Sequence, residues 1–296
     1  LHSTSRRQRQ MCIRDSMYYI SRVFTPNGNW TAGIEGPACD YKGNLYAVNF
    51  EYDGTIGKVT SDGRETIYLN LPEGSVANGI RFNANREMII ADYTCHNLYK
   101  VDPDTKEIFI YAHNPTWHQP NDLAIAQNGL VYISDPDWPA LKGRIWLVRP
   151  DGSMQILDDE MGTTNGIEVG YDERTLYVNE SEQRRIWAYD IKNDGTVENK
   201  RLFISFKDYG MDGMRCDIQG NLYVTRYHKG TVLKLNPEGK PLLEVYLHGK
   251  RCSNICFGGE DGCTCYVTMA DTGCVETFRC DCPGREWMLY RKWSVC

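Results

Sequence analysis

Short stretches in which apolar and polar residues alternate recur along the chain, and clusters of Gly, Asp, Asn and Pro separate them. Alternation with a period of two is typical of β-strands that bury one face, and no extended stretch follows the 3.6-residue period of an amphipathic helix. One apolar stretch occurs six times, with spacings of 43, 43, 45, 46 and 43 residues between its equivalent positions Tyr46, Ile89, Tyr132, Tyr177, Tyr223 and Tyr266. The pattern therefore predicts an all-β protein built from six repeats.

Each repeat of about 44 residues has a polar turn before the Tyr-bearing strand and, in most repeats, a further strand some ten residues after it. Four short antiparallel strands in a repeat of this length form one blade of a β-propeller. Six such repeats take up nearly all of residues 17–296, so we predict a single six-bladed β-propeller over this range. A strand near residues 21–25 is expected to close the ring by pairing with the last blade. A β-sandwich of similar composition is the alternative, but it does not explain the sixfold period.

The first 16 residues differ in character from the rest of the chain. They are basic and Ser-rich, and they resemble the in-frame translation of a sequencing adapter. We interpret residues 1–16 as such a translation and leave them out of the predicted fold; a transit peptide is the other interpretation. The whole chain has a net charge of −6, and without the four arginines and one aspartate of this segment the charge is −9.

Composition and charge argue against two classes of protein. No stretch approaches the ~18 consecutive apolar residues that a membrane-spanning helix needs, so we expect no membrane insertion. The acidic balance is opposite to the basic surface that binds nucleic acid. No secretory signal is evident. We expect a cytoplasmic protein, a monomer or weak dimer, that acts on a small molecule.

A polar residue opens the short strand that precedes each Tyr-bearing strand. These positions are spaced by 43, 43, 44, 47 and 42 residues, and we call them the ring residues: Glu35, Asn78, Asn121, Asn165, Asp212 and Asn254. The first strand of each propeller blade lines the central channel, so the six side chains should meet at one mouth. Their oxygens suit one hard divalent cation, and Ca²⁺ fits best because it accepts mixed carboxylate, amide and water oxygens in irregular geometry. Mg²⁺, Mn²⁺ and Zn²⁺ are the other candidates, although Zn²⁺ prefers His or Cys. The alternative, that Asn-Gly and Asp-Gly only form turns, does not explain Glu35 before Gly-Pro.

Several motifs in this order resemble those of the SMP-30/gluconolactonase/LRE-like family, which includes regucalcin: EGPACD, GNLYAV, QPND, TTNGIEV, TLYVNES and MDGMRCDIQGNLYVTRY. The resemblance covers roughly residues 25–290. It implies a six-bladed propeller with one divalent cation in its channel and, in many members, hydrolysis of sugar lactones. It also implies that Glu35, Asn165 and Asp212 are metal ligands and that Asn121 binds metal or substrate. Asp212 is by resemblance also the general base.

We therefore expect a metal-dependent hydrolase that opens a sugar lactone or a related small cyclic ester. Lactone opening needs a polarised carbonyl and an activated water, which a cation and the Asp212 carboxylate can supply. Two alternatives stay open. One is a non-catalytic propeller that binds calcium or a small molecule, and the other is a phosphotriesterase-type hydrolase.

The ends of the second strands should lie at the same mouth as the ring residues, because neighbouring strands run in opposite directions. The predicted pocket wall is Asn49, Tyr52, Asp92, Tyr93, His96, Asp135, Trp138, Asn179, Glu180, Arg226, His228 and Asp271. The residues predicted to bind substrate are Asn78, His118, Gln119, Asn121, Asp135, Trp138, Arg226 and His228. Many relatives have a substrate-contacting Arg two residues before the Asn of the PND motif. Here Gln119 occupies that position and lacks the charge.

Eight of the eleven cysteines outside residues 1–16 follow residue 251. Cys263 and Cys265, like Cys280 and Cys282, place two thiols on one face of a strand, which would suit a disulfide cluster or a soft-metal site. However, the spacing is Cys-x-Cys rather than the Cys-x-x-Cys of zinc ribbons, and free Cys behaves as a small buried hydrophobe. We therefore favour free, buried thiols.

Overall fold

A computed structural model describes residues 18–293, with side chains up to Tyr290, and consists of six four-stranded antiparallel sheets. The first strand of the described residues is β1 (Arg22–Val23), which belongs to the last blade. Blades 1 and 2 consist of β2 (Trp30–Cys39), β3 (Leu45–Phe50), β4 (Thr55–Val59), β5 (Glu65–Asn70), β6 (Ala77–Phe82), β7 (Met88–Asp92), β8 (Asn97–Val101) and β9 (Ile108–His113). Blades 3 and 4 consist of β10 (Leu123–Ile125), β11 (Val131–Asp137), β12 (Lys142–Val148), β13 (Met154–Met161), β14 (Thr164–Val169), β15 (Thr175–Glu180), β16 (Arg185–Ile191) and β17 (Val197–Ser205). Blades 5 and 6 consist of β18 (Met214–Cys216), β19 (Leu222–Arg226), β20 (Thr231–Leu235), β21 (Pro241–Tyr246), β22 (Cys252–Gly258), β23 (Thr264–Met269) and β24 (Cys274–Arg279).

The ring of blades is closed by a strand from the N-terminal side of the chain. β1 pairs antiparallel with β24, with Arg22 opposite Thr277 and Val23 opposite Glu276. The sheet order β1-β24-β23-β22 makes β1 the fourth strand of blade 6. The predicted six-bladed all-β propeller and its closing strand are therefore confirmed, whereas residues 1–16 lie outside the described part of the chain.

The residue that marks each repeat is buried between neighbouring blades. Tyr46 of blade 1 packs edge-on against Phe82 of blade 2, with ring centroids 5.5 Å apart, and Tyr223 of blade 5 packs in the same way against Phe257 of blade 6 at 5.0 Å. Such aromatic pairs add ~0.5–1.5 kcal/mol beyond the burial of their surface. The repeat is visible in the sequence because each blade must bury one apolar face against the next.

The first strand of each blade is irregular at its ring residue. In blades 1, 2, 4 and 6 the pairing of the first and second strands shifts register there, as between Ala77 and Ile80 in blade 2. In blades 3 and 5 the first strand begins only after the ring residue, at Leu123 and Met214. A bulge or a late strand start frees a side chain from the alternation of the ladder. The ring residues can therefore turn toward the channel.

A helix that the strand pattern does not predict, α1 (Arg285–Trp293), ends the described chain. The Arg285 guanidinium donates a hydrogen bond to the carbonyl of Ile125 at 3.0 Å, at the last residue of β10. Because the ring residues lie at the opposite ends of the first strands, α1 contacts the channel at the end remote from them. No helix within residues 18–293 combines the length and apolar character that membrane crossing needs.

All ten described cysteines are free thiols, and eight of them are buried. Within residues 18–293, no three or more His, Cys, Asp and Glu side chains form a group that could hold a metal ion. Eight of these ten thus have the burial expected of small apolar side chains, whereas Cys95 and Cys263 are partly exposed. Cys296 lies outside the described residues.

Candidate active site

A cavity of about 680 Å³ opens at the channel mouth where the first strands begin. Five of the six ring residues line it: Glu35, Asn78, Asn121, Asn165 and Asp212. The sixth, Asn254, is only 1% exposed and lies beneath the cavity floor. The cavity falls within the size range of small-molecule sites, ~300–1,000 Å³.

Three ring residues from different blades are in contact at the cavity floor. The Glu35 carboxyl group and the Asn165 carboxamide are side-chain neighbours of the Asp212 carboxylate, close enough to shift its pKa. Oε2 of Glu35 also accepts hydrogen bonds from the N–H of Gly36 at 2.7 Å and from Nδ2 of Asn254 at 2.9 Å. The structure thus places together the three side chains named as metal ligands in the sequence analysis.

The two carboxyl groups are unfavourable neighbours when both are ionised. Burial raises the pKa of Glu35 to about 7. Burial, followed by the charge of Glu35, raises the pKa of Asp212 well above its ordinary value. A positive charge between them would favour both ionised forms and lower both pKa values.

Two carboxamide oxygens beside this pair have no partner. Oδ1 of Asn121 and Oδ1 of Asn165 are buried and accept no hydrogen bond. Nδ2 of Asn165 donates to Oγ of Ser181 at 3.1 Å, so the amide nitrogen is engaged and the oxygen is left over. An unsatisfied buried acceptor costs ~1–3 kcal/mol, which a cation would offset. Two carboxylates and two amide oxygens fit the coordination preference of Ca²⁺.

Glycines after ring residues are required by the packing of neighbouring blades. A Cβ atom on Gly79 would lie 2.8 Å from the carbonyl oxygen of Asn121, and one on Gly166 would lie 2.3 Å from the carbonyl oxygen of Asp212. Both distances are shorter than real Cβ contacts, so the ring residue of one blade passes over the glycine of the blade before it. At these two positions turn formation alone does not account for the Asn-Gly pair.

The backbone of Asp212 is held from two sides. Its N–H donates to the carbonyl of Thr225 at 3.1 Å, and its carbonyl accepts a hydrogen bond from Nδ2 of Asn179 at 2.6 Å. Oγ of Ser181 donates to the carbonyl of the preceding residue, Met211. These contacts come from the second strands of blades 4 and 5 or the turn after them, and they fix the position of the Asp212 carboxylate before any ligand arrives.

The rest of the cavity wall combines aromatic and polar side chains. From the predicted wall and substrate residues it includes Asn49, Asn78, Tyr93, Gln119, Asn121, Trp138 and His228. It also includes residues that the sequence analysis did not name: Ser181, Glu182, Arg184, Tyr209, Met211 and Tyr227. Tyr209 and Met211 belong to the linker before Asp212. The only signal for this linker is the 47-residue spacing from Asn165, the longest of the five.

Asp135 does not face the substrate cavity, contrary to the sequence analysis. Its side chain is fully buried, and Oδ1 accepts hydrogen bonds from the backbone N–H groups of His118 at 2.8 Å and Gln119 at 2.7 Å. Its other oxygen pairs with the guanidinium of Arg144 at 2.7 Å. Asp135 therefore shapes the turn that carries Gln119 to the cavity, because that turn has unpaired N–H groups that need an acceptor.

Arg226 and His118 also lie outside the cavity lining. Arg226 is 2% exposed, and its guanidinium donates to the carbonyl and the carboxylate of Asp208 at 2.7 and 2.8 Å. It lies over the ring of Phe206 at 3.8 Å, so it holds the linker that leads to Asp212. The half-exposed imidazole of His118 faces Asp137, at 3.8 Å.

The other predicted wall residues that do not line the cavity are Tyr52, Asp92, His96, Asn179, Glu180 and Asp271. Several of them bind backbone N–H groups of the loop before a ring residue. Glu180 accepts from Gly162 at 2.8 Å, and Asp271 accepts from Lys250 at 2.7 Å. Acidic groups at the ends of second strands thus position the loops that carry the ring residues.

Comparison with known proteins identifies the family. Residues 34–271 match the model described as the SMP-30/Gluconolactonase/LRE-like region. Gluconolactonase from Zymomonas mobilis is 26% identical over 272 residues, 80% of this chain and 76% of that protein. Regucalcin from Danio rerio is 33% identical over 133 residues, 44% of this chain and 45% of that protein. The crystal structure of a calcium-binding protein, regucalcin, from Agrobacterium tumefaciens has the same fold, with a TM-score of 0.77 at 20% identity over 90% of this chain and 94% of that one. Because the family model covers most of the chain and all six ring residues, the protein belongs to the SMP-30/gluconolactonase/LRE-like family.

Proposed function

We propose that the protein is a metal-dependent hydrolase that opens a sugar lactone or a related small cyclic ester. The observation that carries this proposal is the contact between the Asp212 and Glu35 carboxyl groups at the cavity floor, beside the unpartnered oxygens of Asn121 and Asn165. The name of the Zymomonas mobilis relative, gluconolactonase, supports the substrate class.

Glu35, Asn165 and Asp212, with Asn121, are the residues that would hold one divalent cation. We propose Ca²⁺, because all four side chains offer oxygen donors and none of them is the His or Cys that Zn²⁺ prefers. The description of the Agrobacterium tumefaciens structure as a calcium-binding protein supports this choice. A bound cation supplies Lewis acidity toward the lactone carbonyl.

Asp212 is the proposed general base. Its carboxylate lies at the cavity floor and its backbone is fixed by Asn179 and Thr225, so it can accept a proton from a water that attacks the lactone carbonyl. The water oxygen forms the new C–O bond, the ring C–O bond breaks, and the proton passes from Asp212 to the departing alkoxide.

The cavity wall fits a small polyhydroxylated ring. Trp138, Tyr209 and Tyr227 offer aromatic faces, and Gln119 and His228 offer hydrogen-bonding groups above the floor. Aromatic faces with a few convergent polar groups are typical of sites that orient small ligands. This composition supports a sugar-like substrate rather than an extended polymer.

The proposal is tested by assaying purified protein against a panel of aldonolactones and a phosphotriester, before and after chelation and after Ca²⁺ is restored. We expect lactone opening that chelation removes and Ca²⁺ recovers. Asp212→Asn keeps the size of the side chain but not its basicity, and it should lower kcat by roughly 10²–10⁴-fold. Asp194→Asn, at an exposed turn remote from the cavity, is the matched control and should retain full activity.

Three outcomes would contradict the proposal. Ca²⁺ binding without turnover of any lactone would favour a non-catalytic binding propeller. Turnover of the phosphotriester alone would assign a different hydrolase chemistry. Unchanged kcat in Asp212→Asn would remove Asp212 from the role of base.

A further inference from the structure

Charged side chains fill the channel beneath the cavity floor, a place where apolar residues would be expected. We call this set the buried charge layer: Arg81, Asp122, Glu168, Arg215 and Glu286. The first four are at most 1% exposed, and the Glu286 side chain is 12% exposed. Four of them follow ring residues by one to three positions, on the first strand of a blade or directly before it, whereas Glu286 comes from α1 at the far end of the described chain. The last described element of the chain thus contributes a charge to the centre of the propeller.

A continuous series of contacts joins Glu286 to the floor of the site. Oε1 of Glu286 lies 2.6 Å from Nε of Arg81, and Nη1 of Arg81 lies 3.1 Å from Oδ1 of Asp122. Oδ2 of Asp122 is 3.4 Å from Nδ2 of Asn254, which donates at 2.9 Å to Oε2 of Glu35. Glu35 is therefore oriented from below by a carboxamide that is itself shared with Asp122.

Charge balance in this layer depends on Glu286. Arg81 and Arg215 both contact Asp122, at 3.1 and 3.3 Å, and both also face Glu286, at 2.6 and 3.8 Å. Burial, followed by the charge of Glu286, raises the pKa of Glu168 to about 8. The Arg285 guanidinium, 3.6 Å from Glu168, has its own partner in Glu173 at 2.5 Å. The carboxylates nearest to Arg81 and Arg215 are those of Asp122 and Glu286. Without the charge of Glu286, both guanidiniums would lose one of these two partners, directly below a site proposed to bind a cation.

We propose that Glu286 is a positioning residue of the cation site. By neutralising Arg81 and Arg215 it leaves Asp122 available to hold Asn254, and Asn254 holds Glu35 in its ligand orientation. This inference rests on the proposed cation site, and it adds that α1 belongs to the functional unit although it lies at the other end of the channel.

The test is calcium titration of the chelated full-length protein by isothermal calorimetry. Glu286→Gln keeps the shape of the side chain and removes its charge. The Kd for Ca²⁺ should rise about tenfold, which is the lower end of the loss in affinity that follows mutation of residues supporting metal ligands. Glu173→Gln is the matched control. It makes the same change in a carboxylate that also binds α1, at 2.5 Å from Arg285, and the Kd should stay within about threefold of wild type.

A compensating variant separates charge from packing. In Arg81→Gln/Glu286→Gln one charge of each sign is lost, so the Kd should return to within about threefold of wild type. This variant also serves as the test if Glu286→Gln does not fold. A Kd raised tenfold in the double variant, an unchanged Kd in Glu286→Gln, or an equal rise in Glu173→Gln would each overturn the inference. A wild-type protein that binds no divalent cation would instead overturn the proposed function.

Discussion

A methyl group added to Gly213 should disturb the site without touching any proposed ligand. A Cβ atom at this position would lie 1.8 Å from Oδ1 and 2.0 Å from Cγ of Asn254. Since carbon atoms pack no closer than ~3.5 Å, the two residues would have to separate by roughly 1.5 Å. Neither can move freely: Asn254 is buried and bonded to Glu35, and the N–H of Gly213 donates to the carbonyl of Ser253 at 2.8 Å.

Two contributions set the expected loss in the free energy of unfolding of Gly213→Ala. Overpacking a buried contact costs ~1–3 kcal/mol. Displacement of Asn254 would also break its hydrogen bond to Glu35, worth ~0.5–3 kcal/mol depending on the charge of the carboxyl group. Because the two contributions overlap, we expect Gly213→Ala to lower the free energy of unfolding by about 3 kcal/mol and to weaken Ca²⁺ binding.

Urea unfolding of four variants measures this effect. In Gly213→Ala/Asn254→Ala the obstructing carboxamide is absent, so the double variant should be no less stable than Asn254→Ala alone. Gly210→Ala is the control, because an added Cβ there would be 3.2 Å from its nearest neighbour, the carbonyl oxygen of Ser181, and needs only a small adjustment. A free energy of unfolding of Gly213→Ala within about 0.5 kcal/mol of wild type would contradict this prediction. A double variant whose loss in stability equals the sum of the losses in Gly213→Ala and Asn254→Ala would contradict it as well.

The remaining predictions concern pH and a buried carboxylate. Ca²⁺ affinity should rise as the pH increases from about 6 to 8, because burial raises the pKa of Glu35 to about 7. Below this pH the carboxyl group holds a proton, which must leave before Ca²⁺ binds. A calorimetric Kd for Ca²⁺ that is constant over this pH range would contradict the prediction. Asp135→Ala should lower the free energy of unfolding by about 3 kcal/mol, because Arg144 and the N–H groups of His118 and Gln119 lose their shared partner. Urea unfolding checks this, and a variant as stable as wild type with a raised KM would return Asp135 to the substrate site.

The blade count could be predicted from the sequence because strand burial leaves a local record. Residues two apart along a strand face the same side, and every blade must bury that side against the next, so the apolar pattern repeats with the blade. The closing strand β1 follows from the same argument, since the last blade would otherwise lack its fourth strand. The ring residues were found because equivalent positions in equivalent blades must meet around one channel.

The direction of individual polar side chains could not be predicted in this way. Asp135 and Trp138 both lie near the end of a second strand, yet Asp135 binds backbone N–H groups and Trp138 lines the cavity. Which of these occurs depends on whether a neighbouring loop presents unpaired donors at that point. That is a property of chain segments up to a blade apart rather than of the local pattern.

What the sequence by itself determined is therefore the repeat, the six blades and the set of oxygen-bearing residues at the channel mouth. Only the tertiary structure decided that Asn254 lies below Glu35 instead of beside it, and that Glu286 of α1 reaches the same channel from the opposite end. The physical reason is the separation along the chain between the residues that interact. Strand periodicity is repeated in every blade and can be read locally, whereas charge balance in a buried channel joins single residues that are up to about 200 positions apart and carry no periodic signal.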